Sequence, residues 1–286
     1  MITIRLQEAQ MRNKYELLLS IKLLDYEIRE LTVYSKQCCD CYEMLTRKLD
    51  DLCNFMNEEL TVNLWSEWGD DPDISLHSEQ LRETAVHALC DMEKHQSLCI
   101  HNHETDVGVY MNTLSSSIQN ELQLCGIGPE SKVLFIGAGA FPLSALTIAA
   151  HIGAELVGVD IDEEAVRLAE NMTQVLGLEQ KVSFTSRTVS ELAFARQATH
   201  VIIASLVPNK VDVLDVLYRL VRPDSRIIVR YGNGLRSLFN YPFQPALPQR
   251  WRITPVPNHS NLYDTVILQK AAAVGEGANL CETVRH

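Results

Sequence analysis

Lys132-Val133-Leu134-Phe135-Ile136-Gly137-Ala138-Gly139-Ala140-Phe141-Pro142 is the stretch whose reading decides the fold. Four apolar residues run into a Gly-x-Gly pair and then into a helical pattern over 143–152. A buried strand, a glycine turn and a helix form the phosphate- or nucleotide-holding corner of open α/β sheets. Glycine there permits positive φ and a close approach of the backbone. A bare Gly-x-Gly also occurs in ordinary tight turns, so the neighbouring sequence has to decide.

Outward from that corner, apolar runs alternate with amphipathic segments, the texture of a parallel sheet with crossover helices. Strands are expected at 133–136, 156–159, 182–185, 201–204 and 227–230, with helices at 143–152, 163–176, 189–196 and 210–221. Residues 251–254 and 265–269 read as a closing antiparallel pair at the sheet edge. Asp160 ends the second strand about 20 residues past the glycines, where an acid reaches a ribose hydroxyl pair. Asp162, just ahead of Glu163 and Glu164, fits a helix cap better. The sixth position of the glycine motif is Pro142, where a dinucleotide fold wants Gly or Ala. Proline removes an N–H that a pyrophosphate would use, whereas a sulfonium cofactor has no phosphate to lose. S-adenosylmethionine (SAM) is therefore preferred over NAD. The expected fold is α/β, a class I SAM-dependent transferase (Rossmann-like) sheet preceded by an N-terminal all-helical domain.

That helical part covers 1–126, the sheet domain 127–270 and a loose tail 271–286. Leu17, Ile21, Leu24, Ile28 and Leu31 share one helical face, a packing stripe or a homodimer contact. Residues 65–73 read as a loop, followed by a helix with Leu81, Ala85, Ala88, Leu89 and Met92 on one side. Residues 96–107 read as a polar, non-helical connection.

With 25 basic and 37 acidic residues, the net charge of −12 argues against a polyanionic partner, and nucleic acid is excluded on that ground. No uncharged apolar run reaches the roughly 20 residues of a membrane span, and no secretory core opens the chain. Eight cysteines without an export signal read as reduced thiols in the cytoplasm. Cys38-Cys39-x-Cys41 and His101-x-His103 lack the paired halves of a zinc site, so no metal is expected.

The segment 133–146, from Val-Leu-Phe-Ile-Gly-Ala-Gly through Pro142-Leu143, resembles the strand-Gly-x-Gly-x-x-Pro-Leu of the nicotianamine synthase family. Asp160-Ile161-Asp162 resembles its Asp-x-Asp, 201–207 its fourth strand, and 228–242, with Arg230, Arg236 and Tyr241-Pro242, its Arg-x-x-x-Gly-x-Arg-x-x-x-Tyr-Pro stretch. The matches run in order across about 80–270. The helical N-terminal region and compact length are similar to the bacterial branch that makes opine-type metallophores such as staphylopine and pseudopaline. The resemblance implies transfer of the aminobutyrate group of SAM, as co-substrate, to the α-amine of histidine, D or L. Methylthioadenosine is released, and the product passes to an opine dehydrogenase.

Such a transfer needs orientation, desolvation and loss of the amine's proton; the sulfonium leaving group is already activated. The nucleotide half is assigned to Gly137, Gly139, Phe141, Pro142, Asp160 and Ile161, with Ser205, Leu206 and Val207 at the end of the fourth strand. In the family a tyrosine before the sheet domain helps place and deprotonate the amine, and Tyr110 matches it. A family glutamate on the preceding helix falls, by spacing, at His87 or Leu89. Either His87 does the proton work or Glu83 or Glu93 reaches in from another turn. Arg230 is the candidate grip for a substrate carboxylate, with Tyr231, Asn233 and His259 beside it. Two other readings stay open: a small-molecule N-methyltransferase, and a non-catalytic SAM-binding module.

Overall fold

Four helices open the chain, and neither Gly nor Pro occurs in it before Gly69. A computed structural model describes residues 2–100, 118, 121–244, 250–257 and 262–271. Helix α1 spans Ile2–Ser35, α2 Asp40–Phe55, α3 Glu59–Trp68 and α4 Pro72–Ile100. The loop expected at 65–73 shrinks to three residues, because α3 runs through Trp68 and α4 starts at Pro72. Proline suits a first helical turn, whose N–H has no partner to lose. Helix α4 also continues through Ile100, past the connection expected from residue 96.

The stripe Leu17, Ile21, Leu24 and Ile28 is buried inside the chain's own core, with Leu31 packed against it. It meets α2 and α4, including Leu45, Leu49, Leu81, Ala85 and Met92. A homodimer through that stripe is therefore not available, since one apolar face cannot be buried twice. The same core takes in Phe141, Leu146, Leu235, Leu238 and Phe239 from the sheet half. Helical and sheet halves thus share buried apolar surface.

Seven strands form one sheet: β1 (Lys132–Ile136), β2 (Glu155–Val159), β3 (Val182–Thr185), β4 (His200–Ile203), β5 (Arg226–Tyr231), β6 (Trp251–Pro255) and β7 (Asp264–Lys270). Their order is β3-β2-β1-β4-β5-β7-β6, with β7 antiparallel to both neighbours. Strands β1 and β4 are buried along nearly their whole length, as expected of parallel strands covered on both faces. Helix α5 (Leu143–Thr147) passes into a π-helical turn, Ile148–Ile152, ended by Gly153 at φ 79°. Helix α6 is Glu163–Val175 and α7 is Lys210–Leu220. The helix expected at 189–196 is two short 3-10 turns.

Strand order reverses between β1 and β4, so the connections leaving their carboxyl ends go opposite ways and leave the crevice where open α/β sheets bind ligands. Among the described residues no helix is long and apolar enough to cross a membrane.

Candidate active site

Two glycines shape the crevice. Gly137 and Gly139 sit at φ 80° and 72°, in the left-handed region that disfavours side chains. A Cβ on Gly137 would lie 2.5 Å from Val207 Cγ2, and one on Gly139 would lie 2.5 Å from Glu93 Oε2. The turn is therefore pressed from two sides, by the loop after β4 and by helix α4.

Asp160 stands at the end of β2 and stiffens this turn. Its Oδ2 accepts from the Gly139 N–H at 2.8 Å, and its Oδ1 accepts from the Asp162 N–H at 3.1 Å. Asp162 is the N-cap of α6, its Oδ1 accepting from Glu164 N and, more weakly, Ala165 N. Lys94 of α4 bridges Asp162 and Glu164, each at 2.7 Å, and holds the Asp162 carboxyl below the usual range. Beside Asp160, the Ile161 side chain is 96% exposed, an uncovered apolar surface suited to the face of a purine ring. Phe141 and Pro142 are buried behind the turn, and Pro142 precedes α5 as its cap residue.

Glu93 of α4 is the carboxyl that meets the glycine turn. Burial first, and then the neighbouring charge of Asp160, push its carboxyl up to about 8. The backbone N–H groups of Phe141 and Ala140 oppose that rise. A carboxylate from α4 thus lies against the N–H groups of the glycine turn that a pyrophosphate would need, so the turn is unsuited to a dinucleotide. Ser97, one turn further along α4, donates to the Ala140 carbonyl. Arg82, Val86, Cys90, Glu93 and Ser97 follow a 4-4-3-4 spacing, one helical stripe beside the apolar face. That spacing was a legible sign that Glu93 shares a face with residues turned to the sheet.

Other expected site residues stand elsewhere. The His87 side chain is 65% exposed and lies near Asp91 of its own helix, away from the turn. Glu83 is exposed and accepts from the Tyr241 hydroxyl at 2.7 Å, a link between α4 and the loop after β5. Tyr110 and His259 lie outside the described residues.

Arg230 corrects the expectation of a free carboxylate grip. It is 3% exposed and pairs with the carboxylate of Glu121, which is 7% exposed. Its Nε donates to Glu121 Oε2 at 2.9 Å and its Nη1 to Ser144 Oγ at 2.8 Å, while Thr265 donates to Glu121 Oε1. With its donors committed to Glu121 and Ser144, Arg230 joins the segment before β1 to α5, β5 and β7. Tyr231 packs edge-on against Phe243. Asn233 exchanges two hydrogen bonds with the Phe243 backbone, at 3.0 and 3.1 Å. The amide of Asn233 thereby holds the loop after β5 in shape. Ser205, Leu206 and Val207 do lie at the carboxyl end of β4, with Val207 against Gly137.

The family model described as nicotianamine synthase protein matches residues 72–274. A Pseudomonas aeruginosa protein named L-histidine 2-aminobutanoyltransferase is 42% identical over 261 residues, covering 91% of this chain and 99% of its own. A Yersinia pestis protein of the same name is 35% identical over 259 residues, covering 90% and 96%. Among solved structures, MtNAS in complex with MTA and tNA superposes with a TM-score of 0.73 at 17% identity, over 88% of this chain and 97% of that one. A mutant of MtNAS in complex with S-adenosylmethionine gives 0.68 at 17% identity, over 87% and 98%. The latter two establish the fold.

Proposed function

The chain belongs to the nicotianamine synthase family, and from that premise we propose that it transfers the aminobutyrate group of SAM to the α-amine of histidine and releases methylthioadenosine. The observation that carries the reading is Glu93, a carboxyl raised to about 8 at the glycine turn that faces Asp160. The curated relatives at 42% and 35% identity carry the name of this reaction.

SAM supplies a γ-carbon already activated by its sulfonium. The chain's own residues then have three tasks. Gly137 and Gly139 let the backbone approach, Asp160 takes the ribose hydroxyls, and Ile161 with residues 205–207 borders the base. Glu93 meets the reacting end. Its carboxyl is raised by burial first and then by the charge of Asp160, and an arriving cation offsets both, leaving Glu93 charged when the amine must lose a proton. Glu93 takes the ammonium proton, the freed amine nitrogen forms a bond to the γ-carbon, the carbon–sulfur bond breaks, and its electron pair stays on sulfur as a neutral thioether. No metal or covalent enzyme intermediate is needed to balance the step. Tyr110 is the proposed partner of Glu93 in placing the amine. The product, histidine bearing an aminobutyrate arm, is the proposed substrate of an opine dehydrogenase.

Incubation with SAM and histidine tests the reaction by the nucleoside released. Methylthioadenosine is expected. S-adenosylhomocysteine would replace the reading with N-methyl transfer, and neither product would leave a SAM-binding module.

A further inference from the structure

We propose that Lys210 is a positioning residue for the cofactor edge: its side chain clamps residues 205–207 in the shape that receives the adenosine half of SAM and ties that loop to α4. This rests on the SAM reading above.

Lys210 is the first residue of α7 and is 2% exposed, an unusual place for an ammonium group. Its Nζ donates to three carbonyl oxygens, Ser205 at 2.9 Å, Val207 at 2.6 Å and Tyr241 at 3.3 Å. Three acceptors match the three donors of an ammonium group. Two of them belong to the loop at the end of β4, and Val207 of that loop presses on Gly137. The third belongs to Tyr241, whose N–H donates to the Ser205 carbonyl and whose hydroxyl donates to Glu83. Arg82 lies 5.3 Å from the centre of the Tyr241 ring and donates to the Ser237 carbonyl. A continuous set of contacts therefore runs from the cofactor edge through Lys210 and Tyr241 to α4, the helix that carries Glu93.

The charged groups facing Lys210 are Arg82 and, beyond the Tyr241 phenol, Glu83, both from α4. Burial, reinforced by Arg82, lowers the Lys210 ammonium to about 7, while burial and Glu83 raise the Tyr241 phenol to about 12. On losing its proton the amine keeps two donors and turns a lone pair toward one of three carbonyls, so the clamp loosens. Adenosine affinity is thereby coupled to the charge of Lys210.

Methylthioadenosine is the suitable probe, because it carries the adenosine but neither the sulfonium nor the acceptor. Calorimetric titration of the full chain between pH 6 and 9 should show affinity falling by about tenfold as pH rises, the size expected for a lost charge-assisted hydrogen bond. Lys210→Met should bind about tenfold more weakly at pH 6, and its profile should be flatter. In turnover it should raise KM for SAM with kcat near wild type, a split that general destabilisation would not give. Lys210→Gln keeps two amide donors and serves if the methionine variant fails to fold; it should match the high-pH wild type at every pH. Glu93 titrates in the same range, so the loss of slope in the Lys210 variants carries the assignment. Folded variants with wild-type affinity or an unchanged slope overturn the clamp alone. A wild-type chain that does not bind methylthioadenosine overturns the SAM reading and the clamp together.

Discussion

Glu93 and Glu121 are two carboxyls drawn in against the same sheet, and they keep opposite electrostatic company. Glu121 faces the buried guanidinium of Arg230, which burial disfavours but the Glu121 charge holds firmly protonated, and it also accepts from Thr265. Glu93 faces another acid, Asp160, and has backbone N–H groups as its compensation. Where buried charge is matched, the arrangement is structural, and removing one partner is costly. Where it is left unmatched, free energy is stored in a group that an incoming cation can relieve. Arg230, at the active edge of the sheet, has its donors on Glu121 and Ser144 in this structure.

The contrast can be broken most severely at Glu93. Glu93→Gln should retain SAM binding and lose roughly 10²–10⁴ in turnover, the range of a general base; near wild-type release of methylthioadenosine would remove Glu93 from catalysis. Arg230→Met should leave turnover per folded molecule near wild type while lowering the unfolding free energy by about 3–5 kcal/mol in a urea titration, since Glu121 is stranded. A stable variant with a raised KM for histidine would instead make Arg230 a substrate residue.

The pH responses should also diverge. Because the folded Glu93 carboxyl is raised to about 8 from 4.5, the native state holds a proton that the unfolded chain releases. Its contribution to stability is full below about 4.5 and is lost as pH rises through 8. Thermal melts across that window should show a shallower decline in Glu93→Gln than in wild type. In the opposite sense, kcat/KM should climb toward pH 8 as the base loses its proton, and that limb should vanish in the glutamine variant. Asp160→Ala should weaken SAM binding by about tenfold, the scale of one or two lost hydrogen bonds; unchanged affinity in a folded variant would take it out of the site. The smallest effect is expected at His87. His87→Ala should change turnover less than about twofold, consistent with an exposed side chain, and a flattened pH profile would restore it as the base.

Much of the fold was legible because parallel strands covered on both faces read as continuous apolar runs. Val133–Ile136 and Val201–Ile203 are of that kind, located by their short length and the crossover segments around them. Asp160 was legible because a strand and a crossover helix have nearly constant lengths, which sets its distance from Gly137. The pairing of Arg230 was illegible for a related reason. Strand position places a residue at the active end of a sheet, but not whether its side chain is free or already paired. Its partner Glu121 lies 109 residues earlier in the chain, beyond any local pattern. Lys210 was passed over because a lysine at a helix start reads as a solvated charge. Its three carbonyl partners come from two loops that meet only after the sheet forms.

By itself, the sequence determined that this chain builds a strand-glycine-helix corner with an acid on the neighbouring strand, and that Pro142 turns the corner away from pyrophosphate. Those features are local, set by backbone conformations that a few adjacent residues permit or forbid. Only the tertiary structure decided which titratable groups face one another across the crevice. It sent Glu93 to Asp160, Arg230 to Glu121 and Lys210 to the carbonyls of two loops. A side chain's charge and proton affinity depend on neighbours brought together by packing, and chain spacing does not encode that company.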